Sequence, residues 1–281
     1  MPKVWEVYSK AIEEGKSHNV LSQDIRVLIA KVQGYAEPID TLYNRDDEFR
    51  NLPLFQTYFE RLKKEEPVEY IINEATFLER KLFVDRRVLI PRFETEQLVS
   101  QITERITKYY DPRNYLVVAD IGTGSGCISL ALRSFFRNWL ITASDVSEDA
   151  LEVAKQNFKT YGGGIRTLVG RSLEPYIANK MNLDIIVSNP PYILNKDEVQ
   201  VSVKDYEPDT ALYLDKANSV YEDIFRDYKK VKKGSLLMCF EIGYDLKEYL
   251  TELMTKYLEN YEYEFVEDLD GRLRFLFVYL Q

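Results

Sequence analysis

Leu116-Val117-Val118-Ala119-Asp120-Ile121-Gly122-Thr123-Gly124-Ser125-Gly126-Cys127-Ile128 is the stretch on which the fold turns. A short apolar run rich in β-branched residues predicts a buried strand over 116–121, three alternating glycines predict a tight turn, and an amphipathic helical pattern begins at Cys127-Ile128. Further apolar runs of the same kind fall at 140–146, 166–169, 183–188 and 236–242, separated by helical segments such as 148–160. Alternation of this kind needs crossover connections, so the expected sheet is mostly parallel and covered by helices on both faces. The end of the chain differs. Runs at 262–269 and 275–280 flank Asp270-Gly271, a favoured tight-turn pair, which predicts a C-terminal antiparallel hairpin.

Toward the N-terminus the period changes. Val4, Val7, Tyr8, Ala11 and Ile12 recur at helical spacing, and Ser22 is a candidate cap for a second helix striped by Ile25, Leu28, Ile29 and Val32. A third stripe, Leu54, Phe55, Tyr58, Phe59 and Leu62, follows Pro53. The stretch from Pro67 to Pro91 carries short apolar runs at 70–72, 82–84 and 88–90 between charged residues, which predicts a β-hairpin. The expected organisation is a helical domain over 1–66, a hairpin connector over 67–93 and an α/β domain over 94–281. A chain of 281 residues accommodates such a pair of domains.

Composition narrows the function classes. Apolar residues are 45% and charged residues 30%, as in a globular protein that folds throughout. No segment approaches the roughly 18–20 apolar residues of a membrane span, and the first residues hold no uninterrupted signal-peptide core, so a cytoplasmic protein with no membrane partner is expected. Cys127 and Cys239 are isolated and His18 is the single histidine, a set that makes no zinc site and no disulfide framework. Cys127 reads as a small core residue and His18 as a surface one. A net charge of −9 counts against a nonspecific grip on nucleic acid.

The glycine loop lacks the third glycine of the dinucleotide fingerprint, since position 127 is cysteine, and no Gly-Lys-Ser/Thr follows to cradle phosphates. About 20 residues on, the next strand ends at Asp145, where a carboxylate can accept from both ribose hydroxyls of a nucleoside. Ser147, before Glu148, is the better N-cap for the following helix and leaves Asp145 available. A glycine loop (Gly122, Thr123, Gly124, Ser125, Gly126) and a ribose carboxylate without phosphate machinery suit S-adenosylmethionine.

The second motif, Asn189-Pro190-Pro191-Tyr192, stands at the C-terminal end of the strand predicted over 183–188, the sheet edge where ligands bind in open α/β folds. Two prolines withhold two backbone N–H donors and leave carbonyl oxygens in a rigid turn. Asn189 adds a side-chain carbonyl, so a planar NH2 group can donate one hydrogen bond to Asn189 and another to the Pro190 carbonyl, with Tyr192 packing on its face. An amide or aromatic amine is a poor nucleophile because its lone pair is delocalised. Acceptors on both N–H bonds favour a form whose lone pair points at a methyl donor, and the proton leaves after attack, so no strong base is needed.

On these residues the chain resembles the glutamine N5-methyltransferases, most closely those that modify peptide-chain release factors. The resemblance runs from about Gln23 to Gln281 and also rests on Pro67-Val68-Glu69-Tyr70-Ile71, Val88-Leu89-Ile90-Pro91-Arg92-Phe93-Glu94-Thr95-Glu96, Tyr206-Glu207-Pro208, Glu241-Ile242-Gly243 and Asp270-Gly271-Arg272. It implies a class I S-adenosylmethionine-dependent methyltransferase fold with a small N-terminal helical domain for docking substrate. It further implies S-adenosyl-L-homocysteine as product, the glutamine of a Gly-Gly-Gln loop in bacterial release factors as target, and Asn189 and Pro190 as its holders, with Asn189 also among the donor-binding residues. A monomer is expected.

The chain departs from the pattern in three places. Phe93 replaces a proline, 213–218 replaces a glycine-rich segment, and Gly170-Arg171-Ser172-Leu173 stands where relatives place an acidic residue near the adenine, leaving Ser172 as the candidate contact. Arg92, Glu94 and Glu96 suit a substrate pocket and a charged helix start equally well. Two other substrates stay open: a ribosomal-protein glutamine, toward which Asn73-Glu74-Ala75 points, and adenine N6 in nucleic acid, which needs base extrusion.

Overall fold

The computed structural model describes residues 1–111, 113–194 and 200–281. By contacts the chain divides into two compact units, Met1–Glu74 with the helix Val201–Tyr206, and the rest from Ala75 onward.

The first unit is helical. Val4–Gly15, Ser22–Gln33 and Leu52–Leu62 follow the three predicted stripes and bury Val4, Val7, Ile25, Leu28, Phe55 and Phe59 in one core. Ser22 is the first helical residue rather than the cap, a position held by Leu21 without a side-chain bond. The third helix is capped by Asn51, whose side chain accepts from Leu54 N–H at 3.2 Å, with Pro53 in the first turn where its missing donor costs nothing.

Residues 70–72 correct the predicted hairpin strands. They lie in a helix, Val68–Ile72, started by Pro67, and bury Tyr70 and Ile71. A three-residue apolar run carries no period of its own, and packing decided it. The hairpin consists instead of β1 (Ala75–Phe77) and β2 (Arg80–Leu82), paired antiparallel and joined by Leu78 and Glu79, both at positive φ as a two-residue turn demands. Residues 88–90 are loop rather than strand, with Val88 and Ile90 buried.

The second unit holds a seven-stranded sheet: β3 (Val117–Ile121), β4 (Leu140–Asp145), β5 (Arg166–Val169), β6 (Leu183–Ser188), β7 (Lys232–Glu241), β8 (Tyr261–Glu267) and β9 (Leu273–Leu280), in the order β5-β4-β3-β6-β7-β9-β8. The first five strands run parallel, and β9 is antiparallel to both β7 and β8. Helices Phe93–Tyr109 and Cys127–Phe135 pack into the core on one face, Val220–Asp227 and Lys247–Tyr257 into that on the other. The order reverses at β3, with β4 on one side and β6 on the other, so the carboxyl ends of β3, β4 and β6 open a crevice there. The exposed edge β8 carries Glu262 and Glu264, charges that discourage pairing with another chain.

Candidate active site

The crevice holds a cavity of about 480 Å³, within the range of small-molecule sites. Its wall includes Gly122, Thr123, Gly124, Ser125, Asp145, Ser172, Asn189, Pro190 and Pro191, so two motifs far apart in sequence meet in one place. Gly126 and Tyr192 are not in that wall.

The glycine loop follows from its backbone. Gly122 and Gly124 have φ of +70° and +53°, and a Cβ on either would meet no protein atom within 4 Å, which leaves their backbone bare on the cavity side. Gly126 serves packing. Its φ is +83°, and a Cβ there would stand 2.4 Å from Phe158 Cε1. Gly126→Ala is therefore expected to cost about 2–4 kcal/mol through left-handed strain and overpacking, read as a lower urea midpoint with an unchanged m-value. An unchanged midpoint would contradict this packing role.

Behind the loop Asp120 is fully buried. Its Oδ2 accepts from Thr123 Oγ1 (2.7 Å), Ser129 Oγ (2.6 Å) and Ser129 N–H (3.2 Å), tying the turn to the helix that follows; burial pushes its carboxyl up to about 6. Asp145, at the end of β4, accepts from Gly124 N–H and Ser147 N–H, each at 3.0 Å. Burial raises its pKa and these backbone donors oppose the rise. Ser147 is the helix cap, accepting from Ala150 N–H at 3.1 Å.

Across the cavity the Asn189-Pro190-Pro191-Tyr192 turn leaves β6. Ser188 Oγ donates to Ile121 O at 2.7 Å, which ties the turn to the end of β3. Asn189 Nδ2 donates to Thr95 Oγ1 at 3.1 Å. Tyr192 turns its hydroxyl to Glu241 (3.2 Å), with the Arg274 guanidinium 5.8 Å from its ring centre.

The charged residues at the start of helix Phe93–Tyr109 divide. Arg92 pairs with Glu207 at 2.5 Å, Glu96 accepts from Leu78 N–H at 2.9 Å, and Thr95 between them lines the cavity. Sequence reasoning assigned no role to Thr95 or to Glu241, which its hydroxyl reaches at 2.7 Å; the only signal was their presence in two family motifs.

The divergent segments also have defined places. Arg171 lines the cavity but is held by Asp223 (2.8 Å) and the Asn218 carbonyl, while Ser172, at φ +49°, keeps a buried hydroxyl with no partner among the described residues. Residues 212–214 pair with Ile193, and Tyr213, Leu214, Asp215 and Asn218 form part of the wall. Cys127 borders the cavity with its thiol pushed up to about 12 by burial, which leaves it unreactive. His18 is exposed on the first unit. No helix among the described residues is long and apolar enough to cross a membrane, and no described cluster of His, Cys, Asp and Glu could hold a metal ion.

Residues 95–206 match the methyltransferase small domain family. The chain is 34% identical over 251 residues to the release factor glutamine methyltransferase of Bacillus subtilis (strain 168), covering 88% of this chain and 83% of that one. It is 38% identical over 224 residues to that of Streptococcus pneumoniae, covering 78% and 77%. Among solved structures, the catalytic domain of hMettl16 aligns with a TM-score of 0.51 at 16% identity, covering 71% of this chain and 74% of that one, a likeness of fold alone. The sheet order, the cavity between its two motifs and identity over most of both chains agree, and the chain belongs to the release factor glutamine methyltransferases.

Proposed function

We propose that this protein methylates the side-chain amide nitrogen of the glutamine in the Gly-Gly-Gln loop of bacterial release factors, using S-adenosylmethionine. The observation that carries this reading is the meeting of Asn189 and Pro190 with Gly122, Gly124 and Asp145 around one cavity.

The residues fit the donor. Gly122 and Gly124 leave space where side chains would stand, and Asp145 and Ser172 bring a carboxylate and an unsatisfied hydroxyl to the same wall. Both arginines of the wall are already paired, Arg87 with Asp85 at 2.6 Å and Arg171 with Asp223 at 2.8 Å, which suits a nucleoside without phosphates. In this reading Gly122, Thr123, Gly124 and Ser125 form the loop against the donor while Gly126 closes the turn behind it, Asp145 accepts from the ribose hydroxyls, and Ser172 faces the adenine. S-adenosylmethionine supplies an electrophilic methyl group on its sulfonium and leaves as S-adenosyl-L-homocysteine.

The chain's own work is positioning. Asn189 Oδ1 and the Pro190 carbonyl accept the two N–H bonds of the glutamine amide and aim its lone pair, and Pro191 withholds a competing donor. The nitrogen sheds its proton after attack, which accounts for a site without histidine. Residues 1–66 are the docking surface for the release factor and residues 67–93 the connector. Every residue assigned in this reading comes from one chain, as action by a monomer requires, and the protein works in the cytoplasm where translation terminates.

Incubation with radiolabelled S-adenosylmethionine and either a release factor, the same factor with its Gly-Gly-Gln glutamine replaced by alanine, a ribosomal protein or duplex DNA tests this. Label is expected on the intact release factor alone. Label on DNA, or on the alanine-substituted factor at an equal rate, would sink the proposal.

A further inference from the structure

Behind Asn189 a chain of hydrogen bonds fixes which end of its amide faces the cavity. Glu241, the last residue of β7, is fully buried; its Oε2 accepts from Thr95 Oγ1–H at 2.7 Å and its Oε1 from Tyr192 O–H at 3.2 Å. A carboxylate can only accept, so the single hydroxyl proton of Thr95 is committed to Glu241. Thr95 Oγ1 is then left as an acceptor for its neighbour, Asn189 Nδ2, at 3.1 Å. An asparagine whose NH2 is held on that side turns its Oδ1 the other way. Asn189 and Thr95 both line the cavity.

We infer that Thr95 and Glu241 are positioning residues for methyl transfer: the Glu241 carboxylate sets the direction of the protons through Thr95, so that Asn189 presents its oxygen, and not its NH2, to the substrate amide. The inference rests on the proposed role of Asn189. Protonation of Glu241 reverses the chain. A neutral Glu241 can donate to Thr95 Oγ1, the Thr95 proton then points to Asn189, and the chain accommodates the opposite orientation of the amide. An NH2 facing the substrate NH2 offers no acceptor, and the lone-pair aim is lost.

The surroundings of Glu241 set where this happens. Burial pushes its carboxyl up to about 7, the Thr95 hydroxyl, Arg274 and the Tyr192 hydroxyl oppose the rise, and Glu94 adds to it. Tyr221, whose hydroxyl donates to the Glu241 backbone carbonyl at 2.8 Å, and Cys127 have pKa values raised by burial and stay neutral through this range. Because the folded value lies above the ordinary 4.5, the stability linked to this group is fully present below about 4.5 and lost as pH rises through about 7. Activity runs the other way: it needs the carboxylate and falls as pH drops through about 7.

Steady-state kinetics on the full chain with release factor, from about pH 5.5 to 9, read this directly. Wild-type kcat is expected to show an acid limb near pH 7, while S-adenosylhomocysteine affinity stays level. Thr95→Val should lower kcat about 10- to 100-fold with unchanged S-adenosylhomocysteine affinity, and Thr95→Ser, which restores the hydroxyl, should recover most of it. Glu241→Gln should lack the acid limb. A flat wild-type kcat across this range, a Thr95→Val enzyme with wild-type kcat, or a Glu241→Gln enzyme that keeps the limb would overturn the inference. A wild-type protein that transfers no methyl to release factor would overturn the proposed function instead.

Discussion

Asn189→Ala is expected to lower methyl transfer to release factor by on the order of 10²- to 10³-fold, about 3–4 kcal/mol of transition-state stabilisation, while S-adenosylhomocysteine still binds. The reason is the geometry of the turn. Pro190 and Pro191 contribute no N–H, so the acceptors offered to a planar NH2 are the Pro190 carbonyl and Asn189 Oδ1, and alanine removes the second. The loss should appear in kcat rather than in cofactor affinity, because the glycine loop and Asp145 come from β3 and β4 and not from this turn. Single-turnover transfer with labelled donor, beside calorimetric binding of S-adenosylhomocysteine, separates the two. Near-normal turnover in the variant would show that another group holds the amide.

Asp145→Ala is the complementary experiment and should raise the dissociation constant of S-adenosylhomocysteine about 100-fold, or about 2.8 kcal/mol. Two effects add. The carboxylate is the ribose acceptor in the proposed site, and it also accepts from Gly124 N–H and Ser147 N–H, so its removal leaves loop donors unpaired and loosens the turn. Asp145→Asn keeps the shape and one acceptor, and should fall between the two. The readouts are calorimetric affinity and the ligand-induced rise in Tm, which should shrink together. An unchanged affinity in the alanine variant would remove Asp145 from the donor site.

Much of the fold was legible in the chain because its signals are local. Each predicted strand of the α/β unit appears within a few residues of its expected bounds, since the buried part of a central parallel strand is a continuous apolar run. β7 starts earlier than predicted because its first residues, Lys232-Lys233-Gly234-Ser235, are polar and outside that run. The helix predicted over 148–160 is Glu148–Thr160, with Ser147 as the cap its side chain allows. The exceptions are short. Residues 70–72 and 88–90 read as strand, but burial of Tyr70 and Ile71 placed the first run in a helix and the second is loop. The hairpin turn escaped notice because Leu78 and Glu79 take positive φ without a glycine to mark it.

The candidate site divides along the same line. By itself the sequence determined the glycine loop, Asp145 and the Asn189-Pro190-Pro191-Tyr192 turn, for each is a spacing of residue types whose chemistry is carried over a few positions. Only the tertiary structure decided what stands behind them. Thr95 lies 94 positions from Asn189 and 146 from Glu241, and a buried carboxylate at the end of β7 takes its hydrogen bonds from whatever distant elements the packing brings to it. The orientation of the Asn189 amide is a property of that junction, since the direction of a hydrogen-bond chain is set at its most committed member, the carboxylate, and not at the residue that meets the substrate.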